Sequence, residues 1–307
     1  MRNIDIQYKD NILKVLDNMD NKKDVRARWS NGLNAKTVGI TQVYNEINLK
    51  DDFPITNFRK INYKKAINEI LWIFQKCSNR LIDLNSKIWH SWEYKNTGSI
   101  GHTYGFVVGK QYKSMVNKYP KVFGDKEYLN QIEYLFQTII DNPNDRRMMI
   151  NLYDLNEIQE SNLPPCAFMT NYSINEKGLN MHLTQRSGDM LVASNFGSWN
   201  TVQYAFLQSL IAKCCGLEVN KFSHFVMDSH IYDRHLEDND LQDYLKQKLD
   251  NGLVSLEINV ENNINDDMTK DEKLKLVWNN FMNFKENDYK LIGYNPNNYK
   301  LKLEVAI

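Results

Sequence analysis

A cysteine that follows two prolines and an arginine further along the chain are the residues best placed to do chemistry together. Pro164-Pro165-Cys166 precedes one apolar run, and Gln185-Arg186-Ser187-Gly188-Asp189 ends a second. Between the runs, Asn175-Glu176-Lys177-Gly178 has the composition of a tight turn, so a β-hairpin would bring Arg186 back to Cys166. A guanidinium beside a thiol favours the nucleophilic thiolate. The pattern therefore predicts a cysteine nucleophile.

Length, charge and cysteine spacing narrow the class of protein. The chain has 307 residues and equal counts of 38 for basic and acidic side chains, so its formal net charge is zero. Balanced charge argues against a nucleic-acid-binding surface. With no apolar run that could cross a bilayer and no signal peptide, we expect a cytoplasmic protein. The four cysteines lack zinc-like spacing, which predicts free thiols and no metal site.

Hydrophobic periodicity predicts the elements that position these groups. We expect helices over residues 8–19, 64–74 and 202–214, the last ended by Gly216. Residues 38–49, 148–153 and 222–227 have the pattern of strands, and residues 25–32 that of a loop. Because no repeat or linker interrupts the pattern, a single α/β domain is the simplest interpretation.

Further charged residues are candidates for binding or proton transfer. Glu69 has apolar neighbours on its predicted helix, so it is either an ordinary exposed glutamate or a desolvated carboxyl that shuttles protons. The pairs Arg26/Arg28 and Arg146/Arg147 are either surface residues or anion ligands. In an extended segment, His230 and Tyr232 would share one face with Asp228.

Together these motifs resemble those of thymidylate synthases, in the branch with a longer active-site loop found in some low-GC bacteria and their phages. The resemblance runs nearly end to end. Its most specific parts are Pro164-Pro165-Cys166, Gln185-Arg186-Ser187-Gly188-Asp189, Trp199-Asn200 with Tyr204-Ala205, and Asp228-Ser229-His230-Ile231-Tyr232. It implies one α/β (α+β) catalytic domain over residues 1–307, with a large mixed β-sheet flanked by helices.

The resemblance also implies a reaction. Cys166 would add to C6 of deoxyuridine monophosphate (dUMP), and 5,10-methylenetetrahydrofolate would supply the carbon and then the hydride. A folate-dependent dUMP hydroxymethylase would share this site but quench the intermediate with water. A third possibility is an inactive nucleotide-binding protein that uses the fold as a scaffold.

The resemblance implies roles that can be grouped by the part of each ligand that a residue would contact. The nucleotide phosphate falls to Arg26, Arg186, Ser187 and, from a partner subunit in a homodimer, Arg146 and Arg147. The rest of the nucleotide falls to Asn200 for the base, His230 and Tyr232 for the sugar 3′-hydroxyl, and Gln185. The folate and the chemistry on it fall to Glu69 as proton relay, Tyr104 near C5, Trp89, Trp92, Asp189 at the pterin, and Ala306 and Ile307 in a closing tail whose terminal carboxylate helps to seal the site.

Three departures from the family pattern leave alternatives open. Ala167 follows the cysteine where many members have histidine. The segment 192–199 is longer than in the commonest branch, so Asn195 competes with Asn200 for the base, although the spacing to Tyr204 favours Asn200. Either Arg26 or Arg28 could be the phosphate ligand.

Overall fold

The fold of residues 1–307 is taken from a computed structural model. It contains eight strands, which are β1 (Lys23–Arg28), β2 (Asn34–Asn48), β3 (Met149–Asn151), β4 (Ala167–Asn175), β5 (Gly178–Asp189), β6 (Val219–Tyr232), β7 (Ser255–Ile258) and β8 (Tyr289–Ile292). The α-helices are α1 (Asn3–Leu16), α2 (Tyr63–Phe74), α3 (Gly105–Gly109), α4 (Pro120–Phe123), α5 (Gln131–Asp141), α6 (Trp199–Cys214), α7 (Asp233–Glu237), α8 (Leu241–Tyr244) and α9 (Lys270–Asn283).

Six strands form one mixed sheet in the order β1-β2-β6-β5-β4-β3. Only β5 and β6 pair in parallel; the other neighbours are antiparallel. The α/β fold with a large mixed sheet is therefore as predicted. None of the helices combines the length and apolar character that a bilayer crossing requires.

The predicted hairpin between the cysteine and the arginine is confirmed. Asn175 pairs with Gly178 across the turn, and Ala167 pairs with Gln185 at the open end. Gly178 has φ +126, and a Cβ there would lie 2.2 Å from the Glu218 carbonyl oxygen, so the turn requires glycine. The turn thereby sets the register that places Arg186 beside Cys166.

Strand polarity gathers the candidate functional residues at one end of the sheet. The carboxyl ends of β5 and β6 coincide because these strands are parallel. The antiparallel neighbours β4 and β2 begin at that same end. Cys166, the 185–189 segment and the 228–232 segment therefore converge.

Helix α6 is the central helix of the core. Nearly all of its residues are buried, including Val202, Phe206, Leu210 and Cys214, the four whose spacing predicts the helix. It contacts α2, α9 and the strands β5 and β6. The helix ends at Cys214, and Gly216 follows with φ +68, as predicted for a C-terminal glycine.

The opposite face of the sheet is less covered. Tyr44, Met149 and Met227 lie on this face and are 53%, 44% and 48% exposed. Cross-strand pairing relates them, since Tyr44 pairs with Phe225 and Met149 with Asn171. An exposed apolar sheet face of this kind is typical of an interaction surface.

Two element predictions need correction. Residues 23–28 form the edge strand β1, where a loop is predicted, because they pair with β2 through backbone bonds that their charged side chains do not reveal. The first helix spans Asn3–Leu16, so it begins before the predicted residue 8 and ends before the predicted residue 19. The polar first turn of this helix is fixed by tertiary contacts, notably Arg2 with Asp52.

Candidate active site

A cavity of about 1050 Å³ opens at this end of the sheet. A volume of this size is at the upper end of the usual range for a small-molecule site. The predicted site residues that line it are Arg26, Glu69, Trp89, Trp92, Tyr104, Cys166, Gln185, Arg186, Ser187, Asp189, Asn200, His230, Tyr232, Ala306 and Ile307. The structure thus brings together residues from both ends of the chain.

The cysteine and the arginine predicted to pair lie side by side. Arg186 Nη2 is 3.6 Å from Cys166 Sγ. The guanidinium is also held by backbone, because its Nε donates to the Pro165 carbonyl oxygen (3.0 Å) and its Nη2 to that of Pro164 (2.9 Å). The two prolines therefore present carbonyls that fix the arginine against the thiol.

The ionisation of the thiol differs from the simplest expectation. Burial raises the pKa of the Cys166 thiol above its ordinary value, and the Arg186 charge offsets only part of that rise. The predicted lowering by arginine is present as a contribution, but it is smaller than desolvation. The sequence predicts that an arginine lies near the thiol, but it does not predict how strongly the thiol is desolvated.

Glu69 is a desolvated carboxyl, as its apolar helical neighbours predict. It is 6% exposed, and burial raises its pKa to about 7. Its Oε2 accepts a hydrogen bond from Trp199 Nε1 at 2.9 Å, which opposes the rise. A carboxyl with a pKa near 7 can both take up and release a proton at neutral pH.

Tyr104 is held in a strained backbone conformation with φ +46. The backbone N–H of Cys166 donates to its hydroxyl oxygen at 3.2 Å. Burial raises the pKa of the phenol, so the hydroxyl keeps its proton. Because this bond uses only a lone pair of the oxygen, the proton remains free to be donated elsewhere. Strain of this kind concentrates at functional sites.

The two competing asparagines have different surroundings. Asn200 lines the cavity at the start of α6. Asn195 is 1% exposed and does not line it. The Asn195 amide donates to the Tyr8 carbonyl oxygen, and its own oxygen accepts from Asn11 Nδ2 and Phe196 N–H. Asn195 is therefore an anchor of the long loop, and of these two asparagines Asn200 is the one that lines the cavity.

The two arginines of β1 also differ in where their side chains lie. Arg26 lines the cavity, whereas the Arg28 guanidinium turns back and donates to the Arg26 carbonyl oxygen at 2.9 Å. The pairing of β1 with β2 is irregular between Asp24 and Arg28. This irregularity interrupts the alternation that would otherwise place both arginines on one face.

The tail closes one side of the cavity through backbone pairing. Arg28 N–H donates to the Ile307 carbonyl oxygen (2.7 Å), and Ile307 N–H donates to that of Arg28 (2.9 Å). Upstream, Glu304 accepts from Arg234 Nη1 (2.6 Å) and from Ser30 Oγ (2.5 Å). These contacts hold the tail against the β1 segment that carries Arg26.

The end of β6 places His230 and Tyr232 at the cavity, their rings 5.3 Å apart. His230 Nδ1 lies 2.8 Å from Asp228 Oδ1, which fixes the orientation of the imidazole. The shared face predicted from alternation is confirmed. On β5, Asp189 Oδ1 accepts from the backbone N–H groups of Leu191 and Val192, so this carboxylate is also fixed.

Arg146 and Arg147 lie outside the cavity of their own chain. The Arg147 side chain is 83% exposed and forms an ion pair with Asp145 at 2.7 Å. Within one chain, this pair therefore cannot contact a ligand in that cavity.

The cavity includes residues to which the sequence assigned no role. Arg59 donates to the Val192 carbonyl oxygen (3.3 Å) and also to that of Leu191, which pins the long loop. Lys60 lines the wall beside Arg59. Trp199, which is distant from Glu69 in sequence, donates a hydrogen bond to its carboxylate. The adjacent basic pair just before helix α2 is the signal that could have found Arg59 and Lys60.

Two indoles form an aromatic wall on one side of the cavity. Trp89 and Trp92 meet edge to face with ring centroids 5.7 Å apart. The Trp89 indole N–H is buried and faces the Glu69 carboxyl, whose pKa it helps to lower. No cluster of three or more His, Cys, Asp or Glu side chains is arranged to hold a metal ion.

Comparison with known proteins agrees with this geometry. A family model for thymidylate synthase matches residues 6–307. Thymidylate synthases of Streptococcus agalactiae and Streptococcus pneumoniae are each 35% identical to this chain, with 100% of both sequences covered. The solved structure of a thermostable thymidylate synthase A from Bacillus subtilis superposes with a TM-score of 0.79, at 30% identity over 99% of both chains.

The mixed sheet, the cysteine–arginine cavity and these matches define an enzyme of the C-methyltransferase class. The chain belongs to the thymidylate synthase family. The resemblance stated from the motifs is therefore confirmed, and the function of the chain is that of the family. The hydroxymethylase alternative gains no support from the comparisons.

Proposed function

We propose that this chain converts dUMP to thymidylate with 5,10-methylenetetrahydrofolate, and that Cys166 is the nucleophile. The 3.6 Å contact between Cys166 Sγ and Arg186 Nη2 carries the proposal. C6 of uracil is a weak electrophile, so the attacking group must be soft and ionised. Burial raises the pKa of the thiol, and the Arg186 charge opposes that rise by stabilising the thiolate.

The nucleotide is held from three directions in this proposal. Arg26, Arg186 and Ser187 take the phosphate, since guanidinium geometry matches phosphate oxygens. Asn200 reads the base, because a carboxamide can accept from N3–H and donate to O4. His230 and Tyr232 take the sugar hydroxyl, with Gln185 supporting the phosphate segment.

The proton transfers fall to Glu69 and Tyr104. The pKa of Glu69, raised to about 7, allows its carboxyl to give and take protons at the pH of the reaction. Tyr104 keeps its proton and lies within hydrogen-bond distance of the Cys166 backbone. Its hydroxyl can therefore donate a hydrogen bond near C5 of the uracil ring. These roles agree with the burial of both side chains.

The folate supplies the carbon and the hydride, and the chain orients it. Trp89 and Trp92 provide aromatic contact, Asp189 accepts from the polar edge of the pterin, and Ala306 and Ile307 close the site. Exclusion of water by the tail protects the activated carbon from hydrolysis. That exclusion separates methylation from hydroxymethylation.

We also propose a homodimer in which Arg146 and Arg147 reach the partner's phosphate. Both arginines lie outside their own cavity, and the exposed sheet face with Tyr44, Met149 and Met227 provides an apolar surface for a second copy. Residues 1–307 act as one catalytic domain. Four free cysteines suit a reducing compartment, which supports the cytoplasm.

Turnover assays of the purified protein test the proposal. With dUMP and methylenetetrahydrofolate, the wild type should release dihydrofolate, measured by its absorbance. Cys166→Ala should abolish the signal while dUMP still binds. Equal turnover by Cys166→Ala would show that another residue is the nucleophile.

A further inference from the structure

A buried histidine lies directly behind the nucleotide site. His224 is 1% exposed on β6 and does not line the cavity. Its two ring nitrogens contact side chains of two different elements, Gln185 of β5 and Thr201 of α6. Nε2 lies 3.0 Å from Gln185 Oε1, and Nδ1 lies 3.3 Å from Thr201 Oγ1.

The direction of every bond follows from one backbone carbonyl. Gln185 Nε2 donates to the Ser187 carbonyl oxygen at 2.9 Å, so its Oε1 must be the atom that faces the histidine. An amide oxygen only accepts, so His224 Nε2 carries the proton and Nδ1 does not. Nδ1 then accepts, and the Thr201 hydroxyl, which also lies 3.4 Å from the Asn195 carbonyl oxygen, is its donor at 3.3 Å.

This chain of bonds joins the two ends of the nucleotide site. At one end is Ser187, whose side chain faces the phosphate in the proposed function. At the other end Thr201 directly follows Asn200, which we assign to the base. The three linking side chains, Gln185, His224 and Thr201, are all at most 2% exposed, so water does not compete for the bonds.

We propose that His224 is a positioning residue that ties the phosphate end of the nucleotide site to its base end, as a neutral Nε2–H imidazole. The proposal rests on the proposed function and adds a residue that never touches the ligand. Burial lowers the pKa of His224 to about 3, which keeps the imidazole neutral while the enzyme works.

A matched pair of variants separates hydrogen bonding from packing. His224→Gln can place an amide N–H where Nε2 stands, whereas His224→Met has a similar length and no donor. We expect Met to raise the Kd for dUMP roughly tenfold because Gln185 Oε1 loses its buried partner, and Gln to stay within about threefold of wild type. Phe222→Leu, a buried apolar change on the same strand face, is the packing control and should leave the Kd unchanged.

Two readouts decide the inference. Calorimetry gives the Kd for dUMP without requiring turnover, and ¹⁵N NMR of the wild type gives the histidine tautomer at neutral pH. An Nε2–H tautomer together with the Gln/Met split supports the proposal. An Nδ1–H or charged imidazole overturns it, as does an equal effect of Met, Gln and the Phe222 control. Absent turnover with intact dUMP binding would reject the proposed reaction and leave these two readouts valid.

Discussion

Arg186 lies 3.6 Å from the Cys166 sulfur and is fixed there by the carbonyl oxygens of Pro164 and Pro165. The Pro-Pro step therefore does more than stiffen the approach to the nucleophile. Neither proline can donate a backbone hydrogen bond, and both carbonyls point at the guanidinium. The thiol thus has a positive charge whose position is set by backbone rather than by flexible side chains.

Arg186→Lys should slow the reaction strongly. A lysine cannot make the two directed bonds to the proline carbonyls, so its charge would not be held at the sulfur. We expect kcat/KM to fall by about 100-fold or more, and the pKa of the thiol to rise further, measured by the pH dependence of alkylation with iodoacetamide. Arg28→Lys, whose side chain does not line the cavity, should behave as wild type. Unchanged alkylation in Arg186→Lys would show that the arginine does not act on the thiol.

Glu69→Gln should remove a pH dependence as well as activity. Its pKa in the folded chain is about 7, against an ordinary value of 4.5. The folded state therefore holds this proton more tightly than the unfolded state, so the contribution to stability is full below pH 4.5 and is lost as the pH rises through about 7.

The amide of Glu69→Gln cannot ionise, so that variant should gain stability relative to wild type on going from about pH 5 to about pH 8, by roughly 2–3 kcal/mol. Urea unfolding at the two values measures the difference. A constant difference between variant and wild type would mean that Glu69 is not desolvated.

Asn200→Asp should change the choice of base. A carboxylate can accept but cannot donate to uracil O4, so turnover of dUMP should fall by at least about 100-fold while binding of the cytosine nucleotide improves. Asn195→Asp is the matched comparison. It sets a charge against the Tyr8 carbonyl oxygen, so it should lower the melting temperature instead of changing base preference. A base switch in Asn195→Asp would reverse the assignment.

Mixing two inactive variants tests the homodimer. Cys166→Ala keeps both arginines, and an Arg146→Ala/Arg147→Ala double variant keeps the cysteine. If the arginines serve the partner's site, unfolding and refolding the variants together should restore activity, because each heterodimer has one complete site. Activity no greater than the sum of the separate variants would place the arginines outside the site.

Local signals in the sequence predicted those parts of the structure that short-range chemistry determines. The 175–178 turn and the periodic residues of α6 are predictable, since turn residues and helical spacing act locally. The edge strand β1 is not predictable in this way, because only its pairing with β2 orders it. The Trp199–Glu69 bond joins residues 130 positions apart, and the sequence alone gives no sign of it.

The ionisation state of the site was predictable for one residue and not for another. Apolar helical neighbours indicated the burial of Glu69, and burial raises its pKa as expected. For Cys166, the nearby arginine was visible but the larger desolvation was not. Desolvation depends on all elements that surround the thiol, and no single stretch of sequence encodes it.

A single-turnover reaction with isotopically labelled folate tests the central claim most directly. Methylenetetrahydrofolate that carries deuterium as its transferable hydride is mixed with dUMP and enzyme, and the quenched products are identified by mass spectrometry. The account predicts thymidylate with one deuterium in its methyl group and an equal amount of dihydrofolate. A hydroxymethyl nucleotide without deuterium, accompanied by tetrahydrofolate, would contradict it.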